Sequence, residues 1–123
     1  MQGGDGNDTV DYSLRTNAVI VGIGTLSDDG EAGEGDNVWL DIETVLGGSG
    51  NDNIRGGELS NLLVGNGGND TLFRNFGNDT LLGGEGNDNL DGGPDADTLN
   101  GGSGTDTGKQ SASDTLISIE NPV

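Results

Sequence analysis

Large apolar residues recur at every ninth position over the second half of the chain. Seven consecutive blocks of nine residues run without a gap from 47 to 109, and an eighth copy stands apart at 3–11. The eighth position of these blocks is occupied in turn by Ile54, Leu63, Leu72, Leu81, Leu90, Leu99 and Gly108, with Val10 in the isolated copy. The first six positions are rich in glycine, which turns tightly without a Cβ clash. Each block therefore predicts a turn followed by a three-residue strand with one inward side chain.

Two such turns and two strands make one flat coil of 18 residues. Coils of this kind stack by parallel strand pairing at about 4.8 Å, so residues 18 apart in the chain lie one above another. The fold class predicted is all-β, a parallel β-solenoid with two repeats per coil. We expect one domain with four parts: an isolated N-terminal repeat (1–11), an irregular β connector (12–46), the seven-repeat array (47–109) and a C-terminal cap or next connector (110–123). Within the connector, 18–26 is the best strand candidate and 27–37 an acidic turn or loop.

Composition changes this picture in two ways. The hydrophobic fraction is only 28% and the net charge is −18, proportions that alone favour disorder. An acidic and an apolar position kept in phase from 47 to 109 favour an ordered repeat instead. The charge argues against nucleic acid and anionic membranes as partners, and no apolar run is long enough for a membrane span. Without cysteine or histidine there is no disulfide, no zinc or haem site and no imidazole base, so we expect no enzyme activity.

The sixth position of the blocks is acidic or an amide. It is occupied by Asp52, Asn61, Asp70, Asp79, Asp88, Asp97 and Asp106, and by Asp8 in the isolated copy. The 18-residue coil predicts two columns, a first rim (Asp52, Asp70, Asp88 and Asp106) and a second rim (Asn61, Asp79 and Asp97). Carboxylates about 5 Å apart repel by about 3 kcal/mol at an effective dielectric near 20, so each column needs cations between its members. The alternative is that these aspartates only solvate the surface or form local Asx turns.

Calcium is the cation that suits these columns. It takes 6–8 oxygen ligands and accepts main-chain carbonyls beside carboxylates, whereas magnesium demands a tighter octahedron. Glycines at the second and fourth positions would present such carbonyls, and the candidates are Gly48, Gly50, Gly68, Gly77, Gly84, Gly86, Gly102 and Gly104. Leu59 and Asp95 replace the fourth-position glycine, so their turns are either strained or built differently. Counting neighbouring pairs predicts about four to six ions, with Asp70, Asp79 and Asp88 each facing two of them.

The blocks resemble the RTX (repeats-in-toxin, haemolysin-type) calcium-binding nonapeptide, GGxGxDxUx with U a large apolar residue. The resemblance implies a parallel β-roll with calcium between the turns. It also implies a module of a larger bacterial protein that leaves the cell through type I secretion machinery and folds outside on binding calcium. The alternative is a spacer or carbohydrate-docking module of an RTX adhesin or polysaccharide-modifying enzyme.

The remaining segments leave several questions open. Residues 36–45 and 114–123 resemble each other and share an Ile-Glu pair that precedes a repeat run at 47, which favours a segment cut from a longer array over a natural terminus. Exposed terminal coils would favour end-to-end self-association. We expect Trp39 to pack within the connector, and Phe73 with Phe76 to be either isolated exposed residues or a small docking patch. The four cations, Arg15, Arg55, Arg74 and Lys109, form no continuous stripe for a polyanionic sugar.

Overall fold

The computed structural model describes residues 2–24, 29–34, 36–74 and 76–122, and those residues form strands, turns and bends. The strands are β1 (Thr9–Asp11), β2 (Val19–Gly22), β3 (Gly30–Glu31), β4 (Thr44–Leu46), β5 (Asn53–Arg55), β6 (Leu62–Gly67), β7 (Thr71–Phe73), β8 (Thr80–Glu85), β9 (Asn89–Asp91), β10 (Thr98–Ser103), β11 (Thr107–Lys109), β12 (Thr115–Ile117) and β13 (Asn121–Pro122). No helix in these ranges is long and apolar enough to cross a membrane.

Apart from β2 and β3, which lie in the same sheet, successive strands alternate between two sheets. One sheet has the order β1-β4-β6-β8-β10-β12 and the other the order β13-β11-β9-β7-β5-β2-β3. Every strand pair is parallel except β2 with β3. The chain therefore winds as a β-solenoid of about four turns, and the predicted all-β parallel roll is confirmed.

The core is a double column of single side chains. In one sheet Leu63 pairs with Leu81, and Leu81 with Leu99. In the other, Ile54 pairs with Leu72, which pairs in turn with Leu90. All of these side chains are fully buried, because the eighth position of each repeat is the middle residue of a strand and points between the sheets.

The core also compensates for Gly108, which stands at the eighth position of the one array repeat that has no large apolar residue there. Gly108 pairs with Leu90 in β11, at the level where a leucine would be expected. A Cβ at Gly108 would lie 3.0 Å from Cγ2 of Ile119, which packs against the core from the C-terminal segment. The Ile-Glu segment at 119–120 thus covers the gap that the glycine leaves.

The first coil is much larger than the others. Val10 pairs with Val45, 35 residues further along the chain, whereas paired residues within the array, such as Leu63 and Leu81, are 18 apart. The extra chain includes β3, which lies antiparallel to β2 at the end of its sheet. This strand falls inside the segment 27–37 that the sequence predicted as a turn or loop. β2 is shorter than the predicted strand at 18–26; residues 25–28 and 35 lie outside the described residues.

Asp29 ties this excursion to the roll. Its side chain is fully buried, with Oδ1 accepting a hydrogen bond from Gly22 N at 2.8 Å and Oδ2 accepting one from Val38 N at 2.7 Å. Its main chain exchanges two hydrogen bonds with Asp36. A buried carboxylate with both oxygens bonded to main-chain N–H groups fixes the path of the enlarged coil.

Candidate metal centres

The four aspartates of the first rim stand one above another at the entry to successive strands. The main-chain N–H of each of the first three donates to Oδ1 of the aspartate one coil further on: Asp52 to Asp70 at 2.7 Å, Asp70 to Asp88 at 2.7 Å and Asp88 to Asp106 at 2.8 Å. All four are buried, at most 2% exposed. The parallel register of the strands therefore produces the column that the nine-residue period predicted.

In the three aspartates that follow Asp52 on this rim, the second carboxylate oxygen has no hydrogen-bond donor. Oδ2 of Asp70, Asp88 and Asp106 is buried and accepts no hydrogen bond. Asp52 differs, because its Oδ1 accepts from Val19 N at 2.9 Å and its Oδ2 from Gly48 N at 2.7 Å. A buried oxygen anion without a partner is costly, so these three atoms call for a positive group.

Each orphan oxygen faces a cradle at the first glycine of its own repeat. A Cβ at Gly65 would lie 2.2 Å from Asp70 Oδ2 and 2.6 Å from the carbonyl oxygen of Gly83, one coil on. The same pair of contacts recurs at Gly83, with Asp88 Oδ2 at 2.3 Å and the Gly101 carbonyl at 2.6 Å. Each cradle thus joins one carboxylate oxygen with one carbonyl oxygen from the next coil.

This donor set fits calcium. Among the described residues no three acidic, histidine or cysteine side chains form a metal cluster, so a bound ion would depend on main-chain oxygens as well as on carboxylates. Calcium accepts that mixture in flexible geometry. Candidate carbonyls lie nearby: Cβ atoms at Gly68, Gly86 and Gly104 would lie 2.1, 1.9 and 1.8 Å from the carbonyl oxygen of the glycine one coil earlier.

The other predicted glycines lie in the same stacked turns. A Cβ at Gly84 would lie 2.0 Å from the Asn66 carbonyl, and one at Gly102 would lie 2.2 Å from that of Gly84. The Gly48 carbonyl accepts from Gly67 N, and Gly50 packs against the main chain of Asn17 and Ala18. Gly77 N donates to Asp95 Oδ2 at 2.9 Å. Neither Leu59 nor Asp95 has a positive φ, so these two turns are built differently rather than strained.

Burial makes the first rim hard to ionise when no cation is present. Burial, followed by the charges of Asp52 and Asp88, raises the pKa of Asp70 to about 7, against a hydrogen bond from Asp52 N that lowers it. Burial also raises the pKa of Asp52 and of Asp88, and the charge of Asp106 adds to the increase at Asp88. A divalent ion in the column would oppose these increases by stabilising the ionised carboxylates.

The second rim has the same ladder with different neighbours. Asn61 N donates to Asp79 Oδ1, Asp79 N to Asp97 Oδ1 at 2.9 Å, and Asp97 N to Asp114 Oδ1 at 3.1 Å. Both polar atoms of the Asn61 amide have main-chain partners: Nδ2 donates to the Ile42 carbonyl at 3.2 Å, and Oδ1 accepts from Gly57 N at 2.9 Å. The first rim differs, because it leaves carboxylate oxygens without a donor.

Arg74 is the largest feature that the sequence analysis missed. It stands at the first position of its repeat, where the neighbouring blocks have glycine, and its side chain is fully buried. Its Nη1 pairs with Asp79 Oδ2, its Nη2 with Asp97 Oδ2 at 2.9 Å, and its Nε donates to the Gly92 carbonyl. The signal was an arginine inside the repeat pattern, but it was grouped with the scattered surface cations.

Three further acidic residues extend the rims without obeying the period. Glu43 Oε2 accepts from Asp8 N, and Glu120 Oε2 accepts from Asp106 N, each at 2.8 Å. Asp114 continues the second rim beyond Asp97. Asp8, predicted from the isolated copy, has a buried Oδ2 with no hydrogen-bond donor, beside Gly3. The repeated Ile-Glu pairs at 42–43 and 119–120 were the available signal for the two glutamates.

The aromatic residues lie outside these centres. Phe76 is 58% exposed and Phe73 is half-buried. Trp39, predicted to pack within the connector, is 50% exposed, and the buried residues there are its neighbours Val38 and Ile42. None of these rings contributes to a rim.

Comparison with known proteins agrees with the geometry. A model of the RTX calcium-binding nonapeptide repeat matches residues 1–13, 46–81 and 73–107, and it describes four copies. Together these matches cover more than half of the chain. A search of curated proteins finds no significant match.

Proposed function

The chain belongs to the RTX calcium-binding nonapeptide repeat family, and from this premise we propose that its calcium-binding β-roll is a folding switch. The roll is disordered where calcium is scarce and assembles where calcium is plentiful. The observation that carries this proposal is the row of buried Oδ2 atoms on Asp70, Asp88 and Asp106 that accept no hydrogen bond.

The core supports this proposal by its size. Each repeat of the array except the last contributes one fully buried apolar side chain, such as Leu72 or Leu81, and must order nine residues around it. Backbone ordering costs about 1–2 kcal/mol per residue, which one leucine per repeat and the strand hydrogen bonds do not offset. When bound, calcium would supply positive charge between the coils, and its binding free energy would add to folding.

Each part of the chain has a defined task in this switch. The strands hold the rim aspartates at one-coil intervals, and the first-position glycines let each Oδ2 lie where a Cβ would collide with it. The N–H ladder through Oδ1 orients the carboxylates so that Oδ2 faces the cradle. We propose metal ligands at the positions predicted from the sequence on the first rim, extended by Glu120, and at Asp8.

The biological setting follows from the switch. Extracellular calcium modules bind at about 10⁻⁴–10⁻³ M, so a roll of that affinity would stay unfolded in a cell and fold outside it. We therefore propose a non-enzymatic module of a larger secreted bacterial protein, exported unfolded through type I secretion machinery. The strong negative charge would keep the metal-free chain expanded and soluble during export.

Circular dichroism with calcium and with excess chelator tests the switch. We expect the strand signal to appear only with calcium, and magnesium at the same concentration to give much less of it. Asp88→Asn should shift the calcium midpoint upward by about tenfold, because it removes an oxygen anion facing two centres. Asp91→Asn is the matched control. Asp91 forms a partly exposed pair with Lys109, and such pairs contribute little; its Oδ1 also accepts from Gly93 N, a bond that the asparagine oxygen can keep. An unchanged strand signal in chelator would refute the proposal.

A carbohydrate-docking role has one supporting observation. Trp39 and Leu40 are 50% and 55% exposed side by side in the first coil, and exposed apolar groups can mark binding surfaces. Tryptophan fluorescence during titration of the calcium-loaded roll with oligosaccharides distinguishes this role from a pure folding switch.

A further inference from the structure

We infer that Arg74 takes the place of a calcium ion on the second rim, so that the Asp79–Asp97 pair is closed by a cation belonging to the chain itself. The inference rests on the proposed calcium-binding function of the other rim. It removes one of the metal positions that the repeat pattern predicts and makes the two rims unequal in their need for metal.

The first argument is position. On the first rim, the space where a first-position side chain would begin is bounded by the carboxylate of the same repeat and by the first-position carbonyl of the next coil. At Gly101 those groups are Asp106 Oδ2, 2.3 Å from a Cβ, and the Ser118 carbonyl at 2.4 Å. Arg74 starts from the equivalent position of its repeat, and its buried side chain reaches the corresponding carboxylate and carbonyl groups.

The second argument is chemistry. Arg74 contacts the same groups as those lining each first-rim cradle: the carboxylate of its own repeat, Asp79, and the first-position carbonyl of the next coil, Gly92. It also binds Asp97 Oδ2 at 2.9 Å. A planar guanidinium can pair with two carboxylates at once and keeps its charge at every relevant pH. It therefore supplies what the unpaired first-rim oxygens lack.

The third argument is the state of the oxygens. Asp97 has both oxygens engaged, Oδ1 by Asp79 N and Oδ2 by Arg74 Nη2. Asp79 has Oδ1 engaged by Asn61 N, and its Oδ2, which accepts no hydrogen bond, forms an ion pair with Arg74 Nη1. Among the described residues, Oδ2 of Asp70, Asp88 and Asp106 has neither a hydrogen-bond donor nor a paired cation. A calcium ion entering between Asp79 and Asp97 would have to displace the fully buried side chain of Arg74.

Asp79 shows the balance of these effects. Burial raises its pKa, and the charge of Asp97 adds to the increase, while the hydrogen bond from Asn61 N and the charge of Arg74 lower it. The arginine thus favours the ionised carboxylate at this level of the roll, where the first rim has only other carboxylates beside it.

The test is the number of calcium ions bound, counted by native mass spectrometry and by calorimetry, in the wild type and in Arg74→Gly. We expect Arg74→Gly to bind one ion more than the wild type, because it restores the glycine and opens the cradle. We also expect it to need more calcium to fold. Arg55→Gly is the control: it removes the same charge from the exposed end of β5 and should leave the count unchanged.

A second variant separates a calcium replacement from simple packing. Arg74→Met keeps much of the volume but has no charge, so it should lower the melting temperature in calcium without recovery at higher calcium. Arg74→Gly should recover in calcium. Equal ion counts in the wild type and Arg74→Gly, or failure of calcium to restore Arg74→Gly, would overturn the inference.

The wild-type count distinguishes the two proposals. A wild type that binds no calcium would refute the proposed function, whereas a calcium-binding wild type with no gain in Arg74→Gly refutes only the role of Arg74. If Arg74→Gly does not fold, Asp97→Asn and Asp88→Asn in the wild-type background decide. We expect Asp88→Asn to lose bound calcium and Asp97→Asn to keep the full count, and a loss in Asp97→Asn would contradict the inference.

Discussion

The two oxygens of a rim aspartate have separate tasks. In Asp70 and Asp88, Oδ1 accepts the N–H of the aspartate one coil earlier and so belongs to the stacking of coils. Oδ2 accepts no hydrogen bond, and we propose that it binds a cation. An asparagine at this position can still accept the N–H of the preceding coil, but it has no negative charge to offer a cation. Asn61 is the example on the second rim, where the amide bonds to the main chain of Ile42 and Gly57.

The raised pKa of Asp70 predicts how pH acts on the metal-free chain. In the roll its pKa is about 7, set mainly by burial, whereas in the disordered chain a carboxyl group releases its proton near pH 4. Protonation of Asp70 should therefore favour the roll over the disordered chain as the pH falls from about 7 towards 4. Above pH 7 this contribution is absent, and folding depends on calcium.

We expect the strand signal in calcium-free buffer to increase when the pH is lowered from 8 to 5, because protonated Asp70 stabilises the roll. Circular dichroism at the two pH values measures it. Asp70→Asn serves as the control, because its pH dependence should be weaker. A calcium-free strand signal that does not respond to pH in the wild type would contradict this role of Asp70.

At the scale of the turn, glycine is required by the neighbouring coil as well as by its own backbone angles. Gly6 and Gly86 both stand at the fourth position, with φ of +114° and +123°. Nothing lies within 4 Å of a Cβ at Gly6, whereas a Cβ at Gly86 would lie 1.9 Å from the Gly68 carbonyl oxygen. A substitution at Gly6 therefore measures backbone strain alone, whereas one at Gly86 adds steric overlap with the neighbouring coil.

We therefore expect Gly86→Ala to destabilise the calcium-loaded roll far more than Gly6→Ala. The strain alone costs about 1–2 kcal/mol, and the overlap at Gly86 should add at least as much by forcing two coils apart. Chemical denaturation in saturating calcium measures both variants. Similar losses in the two would show that the coils are free to separate at this turn.

The regular elements could be predicted from the sequence, and the irregular ones could not. The nine-residue period indicates a coil of 18 residues. Parallel strand pairing then stacks residues that are 18 apart, such as Asp52 with Asp70 and Leu72 with Leu90. Glu43 and Glu120 join the rims at spacings outside the period, so only the folded path of the connectors brings them there. Arg74 was missed because a charged residue in a polar chain is normally exposed, and its burial depends on two carboxylates from different coils.

At the scale of the whole molecule, the switch is a change of size. The chain carries 22 acidic and 4 basic residues, which repel one another when no cation is bound. For a chain of 123 residues, the usual scaling gives a radius of gyration of about 14 Å when compact and about 36 Å when unfolded.

Small-angle scattering in chelator and in calcium should show a contraction between these two limits. The elongated stack of coils should give a value somewhat above the compact limit. Added sodium chloride at equal ionic strength is the control, because screening alone should contract the chain only partly. A compact particle in chelator would mean that the core and Arg74 suffice to hold the roll together.

The oversized first coil, latched by Asp29, has a consequence for how the chain finds its alignment. Similar repeats can pair in the wrong register, because a stack shifted by one coil would lose only a few contacts at its ends. One coil of a different length makes the alternative registers unequal, because the long connection after β1 allows only one partner strand to reach it. The N-terminal coil thus defines the register in which every later repeat pairs.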